Sequence, residues 1–484
     1  MTTHLANEDS LFSFWPRVRE FAVPASMIET ATARRLTGDW AGACAAAGVD
    51  VDLDLRTLAI SHGREFVSRL RSDLRHLAPD LLRWHLPRIA PDGLLRPGLT
   101  VALARYDGAG RGGRPVHLVV RTPPTWADAG QRISLTLWEG FRAGHGAGPG
   151  HPHPHPHPSR RFRLDLHRHL WDARRSGELR TRSGAAAART PGEPEDVVRW
   201  TSRLALPPGA VPDGRTAAVD RWAAEADILL RAEGGCGGPV LVRLGGRRRL
   251  ILETDGGGDG DGGAGPPALR VTPAGSGAGA ASATGPALPV LPEAATWTPP
   301  DLELLRAGAI DAGRLHPLVA AALLPDVRPQ DRRGAADRPG QPRFVECRGA
   351  RHRIGLVDGV LVPLDHDPAE LRREELLVAL GGTPLPCLRA VDEAHRRPDC
   401  LTGVRERLVH GDIAGALAVV EGLLGPEALL RDGALRDELE AAARRRITYG
   451  LYRAGLTGPA PHRLPPRAPR PSGLRSRPRH TAGR

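Results

Sequence analysis

The chain has 484 residues, 40% of them apolar and 25% charged, with a formal net charge of +12. It contains no lysine, so all 67 basic residues are arginine. That excludes P-loop nucleotide sites, protein-kinase phosphotransfer, pyridoxal Schiff-base enzymes and Ser-x-x-Lys acyl enzymes, each of which needs a lysine amine.

The length suits about three domains. The longest apolar stretches, such as "LHPLVAAALLP" at 315–325, fall short of the ~20 residues that cross a bilayer, so no membrane span is expected. Glu8 and Asp9 stand where a secretory signal would be basic, and the expectation is a cytoplasmic protein. Five widely spaced cysteines, an odd number, fit reduced thiols better than a disulfide framework. The arginine bias, with asparagine present only as Asn7, points to GC-rich codon usage before it points to a basic function. Much of the net charge sits at the end, because residues 456–484 hold seven arginines and no acid.

Residues 1–95 are expected to be a helical region. In "SHGREFVSRLRSDLRHL", Phe66, Leu70, Leu74 and Leu77 step by four, four and three, which gathers them on one helical face. Just before it, "TGDWAGACAAAGV" (37–49) follows the same grammar as "HGDIAGALAVVEGLL" (410–424) near the other end. Gly38 and Gly411 permit the left-handed turn that ends a helix, and Asp39 and Asp412 supply carboxylates to cap the next one. Trp40, Cys44, Ala47 and Val51 then align with Ile413, Leu417, Val420 and Leu424 as one apolar stripe, with Ala43 and Ala416 as close-approach contacts. Each stretch is thus predicted to be a helical hairpin. It resembles the turn and second helix of tetratricopeptide-type hairpins, although no tandem 34-residue period connects the two copies. The resemblance implies protein docking, centred on Asp39, Trp40, Asp412 and Ile413. The rest of the chain bears only a general likeness to proteins of high-GC actinobacteria, which implies no activity.

"VDVDLDL" (49–55) alternates strictly, so Asp50, Asp52 and Asp54 would line one face of a strand as a candidate magnesium-type carboxylate cluster. From residue 96 to 180 four β-favouring runs, "LTVALARY", "PVHLVVRT", "RISLTLWEG" and "RFRLDLHRHLW", read as an antiparallel meander. In the last of them His167 and His169 would share a strand face. Between these runs, "HPHPHPHP" offers His151, His153, His155 and His157 as a weak, exchangeable metal tract, since alternate positions of a polyproline II helix do not converge.

Residues 190–272 read as a mixed α/β region, with a helix near 216–233 and a hairpin turning at Gly245-Gly246. "DGGGDGDGGAG" (255–265) contains a literal G-x-G-x-x-G, but it leads into a strand instead of opening the helix that a dinucleotide site requires. Residues 273–296 form a low-complexity linker, and 297–455 hold helices, hairpins including a turn at Asp358-Gly359, and a helical end. In that last helix Leu435, Leu439, Ala443, Ile447 and Leu451 recur every fourth residue. "DEAH" at 392–395 lacks the phosphate loop that would make it a helicase box. Cys347, His352, Cys387, His395 and Cys400 form a possible zinc ligand set, without the C-x-x-C spacing of common zinc sites. Residues 456–484 read as a disordered Arg/Pro-rich tail, able to touch nucleic acid only through nonspecific counterion release.

The fold class expected is α+β, with helical N- and C-terminal regions flanking antiparallel meander and hairpin portions joined by Gly/Ala/Pro-rich loops. The leading functional expectation is a non-enzymatic interaction or accessory protein. A metal-dependent hydrolase using the Asp or Cys/His cluster stands as the alternative, and no specific cofactor is implied.

Overall fold

The computed structural model describes residues 15–140, 153–185, 211, 215–235, 237–245, 248–254, 269–273, 288–325, 343–357, 360–396, 401–424, 430 and 432–458. Among the described residues the fold is mixed α+β with small sheets and no closed barrel. Among the described residues, no helix is long and apolar enough to cross a membrane.

The N-terminal part runs α1 (Ala25–Leu36), α2 (Trp40–Ala46), β1 (Val49–Val51), α3 (Leu55–His62), α4 (Arg64–His76) and α5 (Pro79–His85). It is followed by β2 (Thr100–Tyr106), β3 (Val116–Arg121) and β4 (Ile133–Trp138). The strands make one sheet in the order β1-β4-β3-β2, antiparallel except that β1 lies parallel to β4. Phe66, Leu70, Leu74 and Leu77 are all buried, and they pack with Val101, Leu103, Leu118, Val120, Ile133 and Leu135 in one core. That core also takes in Trp171 and, from much later in the chain, Leu304 and Val319.

The fourth run of the expected meander is not a strand. It touches β2 through the single bridge Ala102–Arg163 and then turns, with His169 inside a 3₁₀ turn over Arg168–Leu170. Local hydrogen bonds hold it there: the Trp171 indole donates to the Leu164 carbonyl at 3.0 Å, and the Asp172 N–H donates to the Arg168 carbonyl at 2.7 Å. These bonds satisfy backbone groups that a ladder would otherwise take.

A second sheet, β5 (Gly238–Gly245), β6 (Arg248–Thr254) and β7 (Leu269–Pro273), is an antiparallel meander. Its alternate residues Val240, Val242 and Leu244 pack on α6 (Trp222–Ala232) through Trp222, Ala226 and Leu229. Two short helices follow, α7 (Pro300–Arg306) and α8 (Pro317–Leu323). The third sheet is β8 (Arg343–Cys347), β9 (Ala350–Val357) and β10 (Val360–Pro363), and after it come α9 (Pro368–Ala379) and α10 (Pro386–Arg396). The chain closes with α11 (Leu401–His410), α12 (Ile413–Leu424) and α13 (Ala434–Arg453).

Both Gly-Asp stretches are helical hairpins, α1/α2 and α11/α12. The apolar stripes inside them differ from expectation. The helix α2 stops at Ala46, so Val51 belongs to β1 and not to a helical face. In α12 the buried row is Ala416, Val420 and Leu424, and Leu417 is 41% exposed. Along α13, Leu435 is buried while Ile447 is 64% exposed. A strict four-residue step advances about 400° and so drifts about 40° each time. Three steps carry the row off the buried face, and Tyr449 and Tyr452 take its place against Ala127 and Ala129.

Candidate metal centre

Cys347 ends β8 and Ala350 begins β9, leaving Arg348 and Gly349 as a two-residue turn. Their φ values of 52° and 80° are both left-handed, as tight hairpin turns of this kind require. Val345 pairs with His352 across the ladder. Alternation puts Val345 and Cys347 on one face, and the cross-strand pair brings His352 to the same face.

Two hydrogen bonds carry the chain past the end of β10 while keeping it beside β9. The Leu364 N–H donates to the Arg353 carbonyl at 2.8 Å, and the Arg353 N–H donates to Asp365 Oδ2 at 2.7 Å. His366 comes next, and Asp367 opens α9 by accepting the Ala369 N–H at 2.9 Å. His366 is thereby set against His352, with Nε2 and Nδ1 2.6 Å apart. Cys387 enters from α10 at its second residue, behind Pro386, whose fixed φ suits a helix start. It is buried together with Cys347 and Leu385.

The two sulfurs and one ring nitrogen of each histidine all lie within 4.8 Å of one another. Zinc bonds of roughly 2.3 Å to sulfur and 2.0 Å to nitrogen place tetrahedral ligand atoms roughly 3.3 to 3.8 Å apart, so the four donors fit one ion once the two rings separate slightly. Burial pushes the Cys387 thiol up to about 12, and its hydrogen bond with Cys347 and the charge there add to the shift. A coordinated cation reverses that logic and strips the proton from a thiol. Outside the cluster, Glu370 Oε2 lies 3.6 Å from His366 Nδ1. It favours the proton on that nitrogen and leaves Nε2 free as a ligand. Arg348, in the turn beside Cys347, holds Glu370 at 2.5 Å and Glu374 at 2.7 Å.

Of the residues singled out in the sequence, Cys347, His352 and Cys387 converge here. The fourth donor, His366, carried no spacing motif. The side chain of His395 and all of Cys400 lie outside the described residues, as do His151, the glycine-rich 255–265 stretch and the tail from 459 onward.

The aspartate row does not form a metal cluster. Asp50 pairs with Arg132 and accepts the Tyr449 hydroxyl at 2.6 Å, Asp52 pairs with Arg453, and Asp54 caps α3 by accepting the Arg56 N–H at 3.0 Å. Three carboxylates already matched by two arginines and a helix end leave no shared oxygen cage. Nor do the three described histidines of the His-Pro tract converge: His153 meets the Thr122 carbonyl at 3.0 Å, His157 meets the ring of Trp138, and His155 anchors Thr100 through its own carbonyl.

The four docking residues are used internally. Asp39 and Asp412 cap their helices, Trp40 packs against the N-terminal core, and Ile413 packs within its own hairpin. Neither a family model, nor a curated protein, nor a solved structure matches this chain.

Proposed function

We propose that this is a non-enzymatic interaction or accessory protein whose third sheet and following helices are clipped together by one structural zinc ion on Cys347, His352, His366 and Cys387. The observation that carries the reading is the convergence of two cysteines and two histidines within 4.8 Å. Thiolate and imidazole donors suit zinc over hard cations. Four protein ligands fill a tetrahedron, whereas a hydrolytic zinc keeps one position for water. That count favours a structural role over the metal-dependent hydrolase.

The ligands come from β8, β9, the segment after β10 and the start of α10, so one ion ties together elements that share little apolar core of their own. The helix held at its N-terminus beside the centre, α9, presents Leu376 at 65%, Leu377 at 53% and, just past its end, Leu380 at 85% exposure. Large apolar side chains clustered on a surface mark contact sites for other proteins.

The test is metal analysis of the untagged chain followed by cobalt substitution. The expected outcome is one zinc per chain, lost in the C347S/C387S double variant. The cobalt form is expected to show a tetrahedral thiolate spectrum that azide leaves unchanged. Absence of stoichiometric metal would overturn the zinc assignment, and a spectrum altered by azide would reveal an open position and overturn the structural role.

A further inference from the structure

A cavity of about 530 Å³ lies where the first core meets the second sheet, and no cysteine lines it. Its walls are the short ribbon Arg88–Ile89/Leu94–Leu95 with its flanks, the 161–170 segment, the end of β5 and residues 293–300. Six arginines line it, and their partners divide them into two groups.

Arg163 is matched by Asp165 and Glu233, and Arg182 makes a fork on Glu225 at 2.5 and 2.6 Å. The other four have far less compensation. Arg161 and Arg215 both pair with Glu293, and Glu303 acts on Arg215 from farther away. Arg88 spends its two terminal nitrogens on the carbonyls of Gly93 and Arg83, faces no carboxylate, and leaves its buried Nε without a partner among the described residues. Arg96, exposed at the rim, has no side-chain partner among the described residues. Burial and the neighbouring Arg83 hold the Arg88 guanidinium well below its ordinary range, as expected of a cation awaiting a counter-charge.

Of the lining histidines, His85 stands 3.6 Å from Asp301 and His167 3.2 Å from Glu225. His169 is buried with Nδ1 unpartnered among the described residues, and the buried indole N–H of Trp297 is in the same state. Trp297 itself carries the Arg215 guanidinium over its ring at 4.1 Å, and Phe162, Leu86 and Leu244 complete apolar stretches of the wall.

A concave site with a surplus of cationic forks, an unsatisfied indole N–H and an apolar floor has a definite complement. We infer that the cavity binds an organic phosphate: a phosphomonoester dianion carrying an aromatic or aliphatic body. The dianion answers the surplus of Arg88, Arg96 and the Arg161/Arg215 pair, whose planar forks match phosphate oxygens. The apolar wall takes the body, as in pockets where a few polar groups fix orientation and hydrophobic groups supply contact.

Calorimetric titration of the full chain with 1-naphthyl phosphate tests this. Saturable 1:1 binding is expected, at least tenfold tighter than 1-naphthol. R96A, which removes a side chain that the fold does not use, is expected to weaken binding about tenfold, and R96E to abolish it, as loss and reversal of one charge-assisted contact should. R64A, on the remote exposed face of α4, is expected to bind like the parent. Absence of saturable binding, equal affinity for 1-naphthol, or indifference to R96A would overturn the site. Equal affinity for 1-naphthoate would overturn its assignment to phosphate.

Discussion

The two Gly-Asp hairpins are built locally alike and used differently. In α1/α2, Gly38 takes φ 82°, the Gly42 N–H donates to Asp39 Oδ1 at 2.8 Å, and Arg34 reaches Asp39 Oδ2 at 2.7 Å. In α11/α12, Gly411 takes φ 90°, the Gly415 N–H donates to Asp412 Oδ1 at 2.9 Å, and Arg407 reaches Asp412 Oδ2 at 2.6 Å. Even the arginine stands five residues before the aspartate in both. Beyond the turn the likeness ends.

The first turn faces outward, with no atom within 4 Å of where a Gly38 Cβ would sit. The second is driven into the body of the protein, where a Gly411 Cβ would meet the Gly130 carbonyl oxygen at 2.0 Å. Beside it the buried Arg83 donates to the carbonyls of Ala22, Gln131 and His410, so one guanidinium fastens the N-terminal segment, the loop before β4 and the C-terminal hairpin. Arg17 and Glu406 pair at 2.8 Å across the same junction. A capping code thus makes a hairpin, and a second set of contacts decides whether that hairpin is a surface or a joint.

The contrast is broken most severely by alanine at the glycines. G411A must displace backbone as well as adopt a left-handed φ. Overpacking of this kind costs on the order of 3 kcal/mol, whereas G38A meets only the φ penalty of about 1 kcal/mol. Midpoints of urea unfolding should separate the two variants in that order, and equal midpoints would dissolve the distinction between joint and surface.

Acid provides the next test. His410 occupies the position that Thr37 holds in the first hairpin, and it is fully buried. Burial, together with the positive charge of Arg88, Arg83 and Arg17, brings its pKa down to about 3, against a weaker upward pull from Asp92. Gln131 faces its Nδ1 at 3.1 Å, and Glu406 stands 3.7 Å from its Nε2. A folded pKa below the unfolded one means that the unfolded chain takes up the proton first. The stabilisation is therefore complete above about pH 6.5 and is lost as pH falls towards 3, by about 2 kcal/mol between pH 7 and pH 5. Melting of the parent is expected to follow that fall and H410N to show a flatter profile. An unchanged slope in H410N would remove the histidine from the joint.

The smallest effect compares the caps. D39A removes a cap and an ion pair at an aspartate that is 43% exposed, and is expected to lower the urea midpoint least. D412A removes the same bonds at 7% exposure and leaves Arg407 partly buried without its partner, for about 2 kcal/mol. Paired urea titrations read the difference, and a larger loss in D39A would reverse the assignment.

Legibility in the sequence followed the range of the interaction. Glycine and aspartate announce a turn and a cap through their own dihedral freedom and carboxylate, and both hairpins could be placed. The core face of α4 was equally plain, because steps of four, four and three hold one direction. The strict fours of α13 were misleading, since drift accumulates over a 20-residue helix and only contact with Ala127 and Ala129 selects the tyrosine face. Of the metal centre, Cys347, His352 and Cys387 stood out by residue type. His366 was missed, although the Asp358-Gly359 pair in the sequence offered a clue to a hairpin: β9 and β10 pair Ile354 with Pro363, and continuing that register puts residue 365 opposite His352, one short of His366. No local pattern reaches Cys387, whose approach depends on where α10 lies on the sheet.

By itself, then, the amino-acid order determined the local grammar of this protein: its caps, its tight turns, the apolar face of α4 and the exclusion of every chemistry that needs a lysine amine. Those properties depend on neighbours a few positions apart, whose geometry the covalent chain constrains directly. Tertiary structure alone decided that Asp50 and Asp52 would meet arginines and a tyrosine instead of an ion, that four distant donors would face one point, and that one Gly-Asp turn would be buried. Each of those outcomes requires groups far apart in sequence to lose water and find partners together. The free energy of such an encounter depends on the whole packed arrangement and is written in no single segment.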